Sequence, residues 1–116
     1  MHVNHCLIIG RVSKNGPKLS YSSSGTPVCS LVVEVEEVGR GGETFTTYLP
    51  VEVTGKYAEQ TATGIEPGDE IQVSGKLKYK NLIDQKSSQK TSKLIISVWG
   101  IAQRVAGVVS PVASPH

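Results

Sequence analysis

Six lysines occur between positions 76 and 93, and their spacing suits a binding function. Lys76, Lys78 and Lys80 stand at i, i+2 and i+4, so they share one face if this region is a strand. Alternate strand residues lie about 6–7 Å apart, which suits successive phosphates of a nucleic-acid chain. Lysines also protect strand edges from aggregation, so the run alone does not decide between these roles. The other three lysines are Lys86, Lys90 and Lys93.

Tyrosines supply a second kind of chemistry, because an exposed aromatic ring can stack on an unpaired base. Leu49 and Val51 alternate on one face of their segment, which turns Tyr48 outward if the strand is regular. A half-buried surface tyrosine is the alternative. Tyr79 lies within the lysine run and either stacks on a base or closes the end of the core. Tyr21 follows the first turn and is a weaker stacking candidate.

The side chains that could take part in catalysis or metal binding are not spaced so that they would meet in one site. On a strand, His2 and Cys6 share one face and His5 takes the other, so three metal ligands do not meet. Cys29 lies among alternating apolar residues and is expected to be an inert core thiol. The Gly-Lys pair at 55–56 lacks the glycine and the hydroxyl residue of a phosphate-binding loop. We therefore expect no enzyme activity, no cofactor and no metal site.

Charge is segregated along the 116 residues although the net charge is only +2. Residues 1–30 carry +3, residues 31–70 carry −7, and residues 71–116 carry +6. The basic C-terminal part suits a polyanionic partner, whereas Glu34, Glu36 and Glu37 are expected to be a solvated face. No apolar run is long enough to span a membrane, no secretory signal is recognisable, and two cysteines suit a reducing compartment.

Period-two alternation of apolar and polar residues predicts strands at 29–35, 45–53, 71–77 and 94–98. Val3–Val12 is a more apolar opening strand, and only 55–64 has helical character. Five strands, with a short helix between the third and fourth and a long hairpin between the fourth and fifth, predict an all-β Greek-key barrel of the OB type. Another small barrel or a sandwich also fits the alternation.

The same alternation predicts which residues fill the core. Phe45 should share the inward face of its strand with Leu49 and Val51, and Tyr57 on the helix should also pack inward. The expected interior residues are Leu31, Val33, Leu49, Val51, Ile71, Val73 and Ile96. We expect one domain over residues 1–105 and a flexible tail over 106–116.

An ordered set of residues between positions 3 and 105 forms a recognisable signature. Its members are Asn4, Leu7, Gly10-Arg11-Val12, Pro17, Tyr21, Gly25, Gly55-Lys56, Ala58-Glu59, Gly68-Asp69, Val73, Gly75, Leu77, Asp84-Gln85 and Leu94-Ile95-Ile96. With this set the chain resembles the bacterial single-stranded DNA-binding protein family, most of all its small cyanobacterial and plastid members.

The resemblance implies an OB fold, sequence-tolerant binding of single-stranded DNA in replication, recombination or repair, and dimers or tetramers built partly through the first strand. It places Arg11 and Lys14 beside the nucleic-acid groove, although Arg11 could equally pair with a glutamate. Lys56 matches a family lysine, although it could simply be solvated, and Tyr48 occupies a family stacking position.

The sequence also departs from the family. Other stacking positions carry Val38, Thr54 and Leu82, and the acidic C-terminal tail that recruits partner proteins is absent. Trp99, where the family has a small residue, is expected to serve packing or a subunit interface rather than base stacking.

These features leave three functions open. The lysines favour single-stranded DNA binding, at the nucleoid in the cytoplasm or in a plastid stroma. The missing aromatics favour an OB-fold interaction module, such as a primosome-type adaptor with weak nucleic-acid binding. Binding of single-stranded RNA is the third, because stacking and phosphate contacts serve both nucleic acids.

Overall fold

The computed structural model describes residues 1–83, 90–98 and 103–104. Lys86, Trp99 and the tail at 106–116 lie outside the described residues. The described part of the chain has no helix with the length and apolar content needed to cross a membrane. Its elements are, in order, β1 (Cys6–Val12), β2 (Lys18–Tyr21), β3 (Pro27–Val38), β4 (Thr44–Thr54), α1 (Ala58–Gly64), β5 (Glu70–Ile83), β6 (Lys90–Val98) and β7 (Gln103–Arg104).

Five of these strands close into a barrel. β3 is antiparallel to both β1 and β4, β4 runs parallel to β6, and β6 is antiparallel to β5. The ring closes because β1 also pairs with β5 over Cys6–Arg11. The predicted OB-type Greek-key barrel is thereby confirmed, with its helix between the third and fourth barrel strands and its long hairpin between the fourth and fifth.

Inward-pointing residues of the barrel strands form the core. Six of the seven expected interior residues are buried, and the seventh, Leu49, is half-buried against them. Cys29 is buried as predicted, and burial raises the pKa of its thiol. The prediction for Phe45 is wrong. Its side chain is exposed, because β4 pairs with β6 only from Val51 onward and, among the described residues, no strand pairs with the outer part of β4 on the side away from β3.

The short helix α1 packs its Ala58 and Thr61 side chains into the core, and Tyr57 just before it is partly buried there, as predicted. The Thr61 hydroxyl donates a hydrogen bond to the Tyr57 carbonyl at 2.8 Å, which satisfies a buried polar group. Gly55 connects β4 to this turn with a φ of 103°, a conformation that favours glycine.

Two parts of the fold differ from the sequence expectation. The sequence predicts no strand between Val12 and residue 29, but Lys18–Tyr21 form β2, which pairs with the start of β3. The opening strand begins at Cys6 rather than Val3. Ahead of it, the Asn4 side-chain amide makes two 2.9 Å hydrogen bonds with the Leu77 backbone, so a side chain replaces strand pairing there.

Candidate nucleic-acid interface

A groove of about 330 Å³ lies on the outer face of the barrel. One wall is the loop between β1 and β2, where Gly16 turns the chain with a φ of 67°. The outer faces of β3 and β4 form the floor, and the β5–β6 hairpin forms the other wall. The polar and charged residues that define this groove include Ser13, Lys18, Ser30, Glu52, Lys80 and Lys93.

Three lysines from three different strands face this groove. Lys80 and Lys93 are directly paired across the hairpin, and Lys18 comes from β2 on the other wall. Glu52 is the carboxylate in the lining, and its Oε2 lies 2.6 Å from the Lys80 Nζ. The groove therefore has a net positive charge suited to an anionic ligand.

Apolar surface lies between the charges. Val32 and Pro50 on the floor are partly exposed, and Ile95 on the hairpin wall is buried behind them. At one edge the Ser13 hydroxyl is buried with no hydrogen-bond partner among the described residues. A groove with apolar contacts, cations and an unpaired hydroxyl suits a ligand that is partly apolar and negatively charged.

Only part of the lysine run between positions 76 and 93 lines the groove. The register places Lys76, Lys78 and Lys80 on one face, opposite Ser97, Ile95 and Lys93 respectively. Of the three, only Lys80 lines the groove. The predicted Lys86 and the side chain of Lys90 are outside what the structure describes.

Tyr48 points outward, as expected, with 64% of its surface exposed. It pairs with Glu34 on β3 and lies two residues before Pro50 of the groove floor. Because residues i and i+2 of a strand share a face, the ring continues the outer surface of the groove and is accessible for stacking.

Tyr79 and Tyr21 lie elsewhere. Tyr79 is exposed but alternates with Lys78 and Lys80, so it occupies the opposite face of the hairpin, across from Leu94. Tyr21 lies at the end of β2 near α1. Partial burial first, and then the charge and hydrogen bond of Glu59, raise the pKa of the Tyr21 phenol.

The cations that the resemblance suggests, Arg11, Lys14 and Lys56, are not among the residues that line the groove. Arg11 contacts two carboxylates, with its Nη2 2.6 Å from Glu36 and its Nε 3.6 Å from Glu34. The hydrogen bond and charge of Glu36, with a smaller effect of Glu34, raise the pKa of Arg11. Lys14 is exposed between groove residues Ser13 and Asn15, whereas Lys56 lies 5.1 Å from the centre of the Tyr57 ring, just before α1.

Sequence reasoning missed Lys18 and Glu52 as groove residues. Lys18 could have been found because it is the only cation between the turn residues Asn15-Gly16-Pro17 and the serine-rich segment 22–26. Glu52 gives no such local signal, because its partner Lys80 is 28 residues away. Of the three residues that the resemblance places at stacking positions, Val38 and Thr54 are exposed, and the side chain of Leu82 is not among those described. No three His, Cys, Asp or Glu side chains in the described ranges form a group able to hold a metal ion.

Comparison with known proteins identifies relatives over most of the chain. Residues 3–102 match the model of the single-strand binding protein family. A protein of Synechocystis named single-stranded DNA-binding protein 1 is 29% identical over 98 residues, covering 84% of this chain and 80% of that protein. A Clostridium acetobutylicum protein of the same name is 31% identical over 90 residues, covering 76% of this chain and 82% of that protein.

Proposed function

Since the chain belongs to the single-strand binding protein family, we propose that it binds single-stranded DNA through the groove and Tyr48, with little sequence preference, during replication, recombination or repair. The family is one of DNA-binding proteins rather than enzymes. The observation that carries the proposal is that an outward aromatic ring adjoins a lysine-lined groove on one face of the barrel.

In the proposed mechanism the single-stranded DNA makes two kinds of contact with the protein. The groove lysines attract the phosphates, and their ammonium groups do not distinguish one base from another. Tyr48 stacks on a base through its ring face, which every base can match. Both contacts tolerate sequence variation, which is what a protein that covers arbitrary single strands requires.

We expect single-stranded DNA to bind more tightly than duplex DNA of the same length. An outward ring such as Tyr48 stacks only on a base that is free of its partner, whereas phosphate contacts alone discriminate weakly. Fluorescence anisotropy with labelled single-stranded DNA, duplex DNA and single-stranded RNA, at two salt concentrations, measures this preference. Equal affinity for single-stranded and duplex DNA would mean that the protein offers only a basic surface without base stacking, and it would contradict the proposal.

A second candidate function is supported by Val38 and Thr54, which are exposed and which the resemblance places at positions where stacking aromatics are expected. With fewer stacking rings, the same barrel would serve as an interaction module of the primosome-adaptor type. The anisotropy experiment decides between them, because an adaptor would bind neither DNA form strongly. Its RNA arm tests the third alternative, single-stranded RNA as the preferred ligand.

We also propose that the protein is a dimer or tetramer assembled partly through β1. This strand pairs with β3 only at Arg11 and Val12, so along Cys6–Gly10 the edge facing β3 has no strand partner among the described residues. Leu7 and Ile9 on this strand are exposed. An unpaired strand edge with apolar side chains favours pairing with a second copy. Light scattering at micromolar concentration should give a multiple of 12.4 kDa; a monomeric mass would contradict the assembly.

The domain and its location follow from the same proposal. Residues 1–105 would form the DNA-binding domain, followed by a tail over residues 106–116. The protein would act where DNA lies, at the nucleoid in the cytoplasm or in a plastid stroma. The proposed ligand requires no cofactor.

A further inference from the structure

The Glu52 carboxylate forms an ion pair with Lys80, one of the three lysines that line the groove. Its Oε2 lies 2.6 Å from the Lys80 Nζ, and the Glu52 side chain is only 17% exposed, against 44% for Lys80. Glu52 is paired with Ser30 on β3 and Ser97 on β6, which fixes its backbone on the groove floor. Among the described residues, Lys18 and Lys93 have no carboxylate within ion-pair distance.

A carboxylate and a phosphate are alternative partners for the same ammonium group, because both present anionic oxygens that accept its hydrogen bonds. A phosphate that takes the Lys80 hydrogen bond now made to Glu52 must displace that carboxylate. The displaced carboxylate would then face the phosphate as a like charge in a partly buried position, where salt screens it less.

Building on the function proposed above, we infer that Glu52 competes with DNA phosphates for Lys80 and so limits the affinity of the groove for single strands. The position of the carboxylate also has a structural reason. Lys80 and Lys93 face each other across β5 and β6, and like charges directly opposite one another destabilise a strand pair. Glu52 offsets this repulsion while the groove is empty.

The test is anisotropy titration of Glu52→Gln with a labelled single-stranded oligonucleotide across a salt series. We expect binding about two- to fivefold tighter at low salt, as for an exposed ion pair gained, and a log–log salt slope steeper by about 0.7, because one more phosphate is neutralised. Glu66→Gln is the matched control, since it removes the same charge from the exposed turn after α1. If Glu52→Gln has a clearly lower melting temperature than the unmodified protein, Glu52→Thr takes its place, because threonine is well suited to strands.

A cycle with Lys80→Gln distinguishes competition from simple repulsion. If Glu52 acts through Lys80, the gain from Glu52→Gln shrinks to less than half in the Lys80→Gln background. An equal gain in both backgrounds, no gain beyond that of Glu66→Gln, or weaker binding by Glu52→Gln would each overturn the inference while leaving DNA binding intact. If neither the unmodified protein nor Glu52→Gln binds any single strand, the proposed function is wrong, and this inference with it.

Discussion

Replacing Tyr48 by alanine is expected to weaken binding of a single-stranded oligonucleotide by about 1–3 kcal/mol, roughly five- to 150-fold, with the salt slope nearly unchanged. The ring is exposed on the outer face beside Pro50 of the groove. Removing it deletes a stacking surface without changing charge. Counterion release depends on charge alone, so the loss should be similar at every salt concentration in an anisotropy titration.

The matched control is Tyr48→Phe, which keeps the ring and removes only the hydroxyl. Because stacking uses the ring face, this variant should bind within about twofold of the unmodified protein. If Tyr48→Phe loses as much as Tyr48→Ala, the hydroxyl rather than the ring makes the contact. If neither variant changes the affinity, Tyr48 is only a surface residue.

Removing the groove lysines should change the salt dependence instead. For the unmodified protein we expect a log–log slope of roughly −2 to −3 per protomer, from three or four neutralised phosphates at about −0.7 each. Changing Lys18, Lys80 and Lys93 together to alanine should flatten the slope by about 1.5–2 and weaken binding to all sequences alike. The contribution of Lys80 is the smallest of the three if Glu52 holds it.

A second triple variant tests the interpretation that the sequence alone suggests, in which Lys76, Lys78 and Lys80 form the phosphate track. Only Lys80 of these lines the groove, so this variant should flatten the slope less. If it flattens the salt slope more than the groove variant does, the bound DNA follows the lysine face of the β5–β6 hairpin rather than the groove. If both triple variants bind normally while Tyr48→Ala abolishes binding, stacking rather than charge dominates.

The sequence by itself determined the existence of the five barrel strands, the direction of most of their side chains and the sign of the charge. Alternation in segments such as Leu31–Val33 and Ile71–Val73 is a local property of an extended chain with one buried face, and these residues are buried as expected. The outward direction of Tyr48 and the shared face of Lys76, Lys78 and Lys80 follow from the same period of two.

Only the tertiary structure decided which of these residues meet. Phe45 has the alternation of an inward residue, yet it is exposed because β4 extends past the strand that would cover it. Lys18 faces Lys80 and Lys93 because β2 pairs with β3 and the barrel brings the hairpin to the same groove. Glu52 reaches Lys80 across 28 residues because β4 lies beside β6, which in turn pairs with β5. Barrel closure sets these neighbours, and a periodicity within one strand carries no information about which strand will lie beside it.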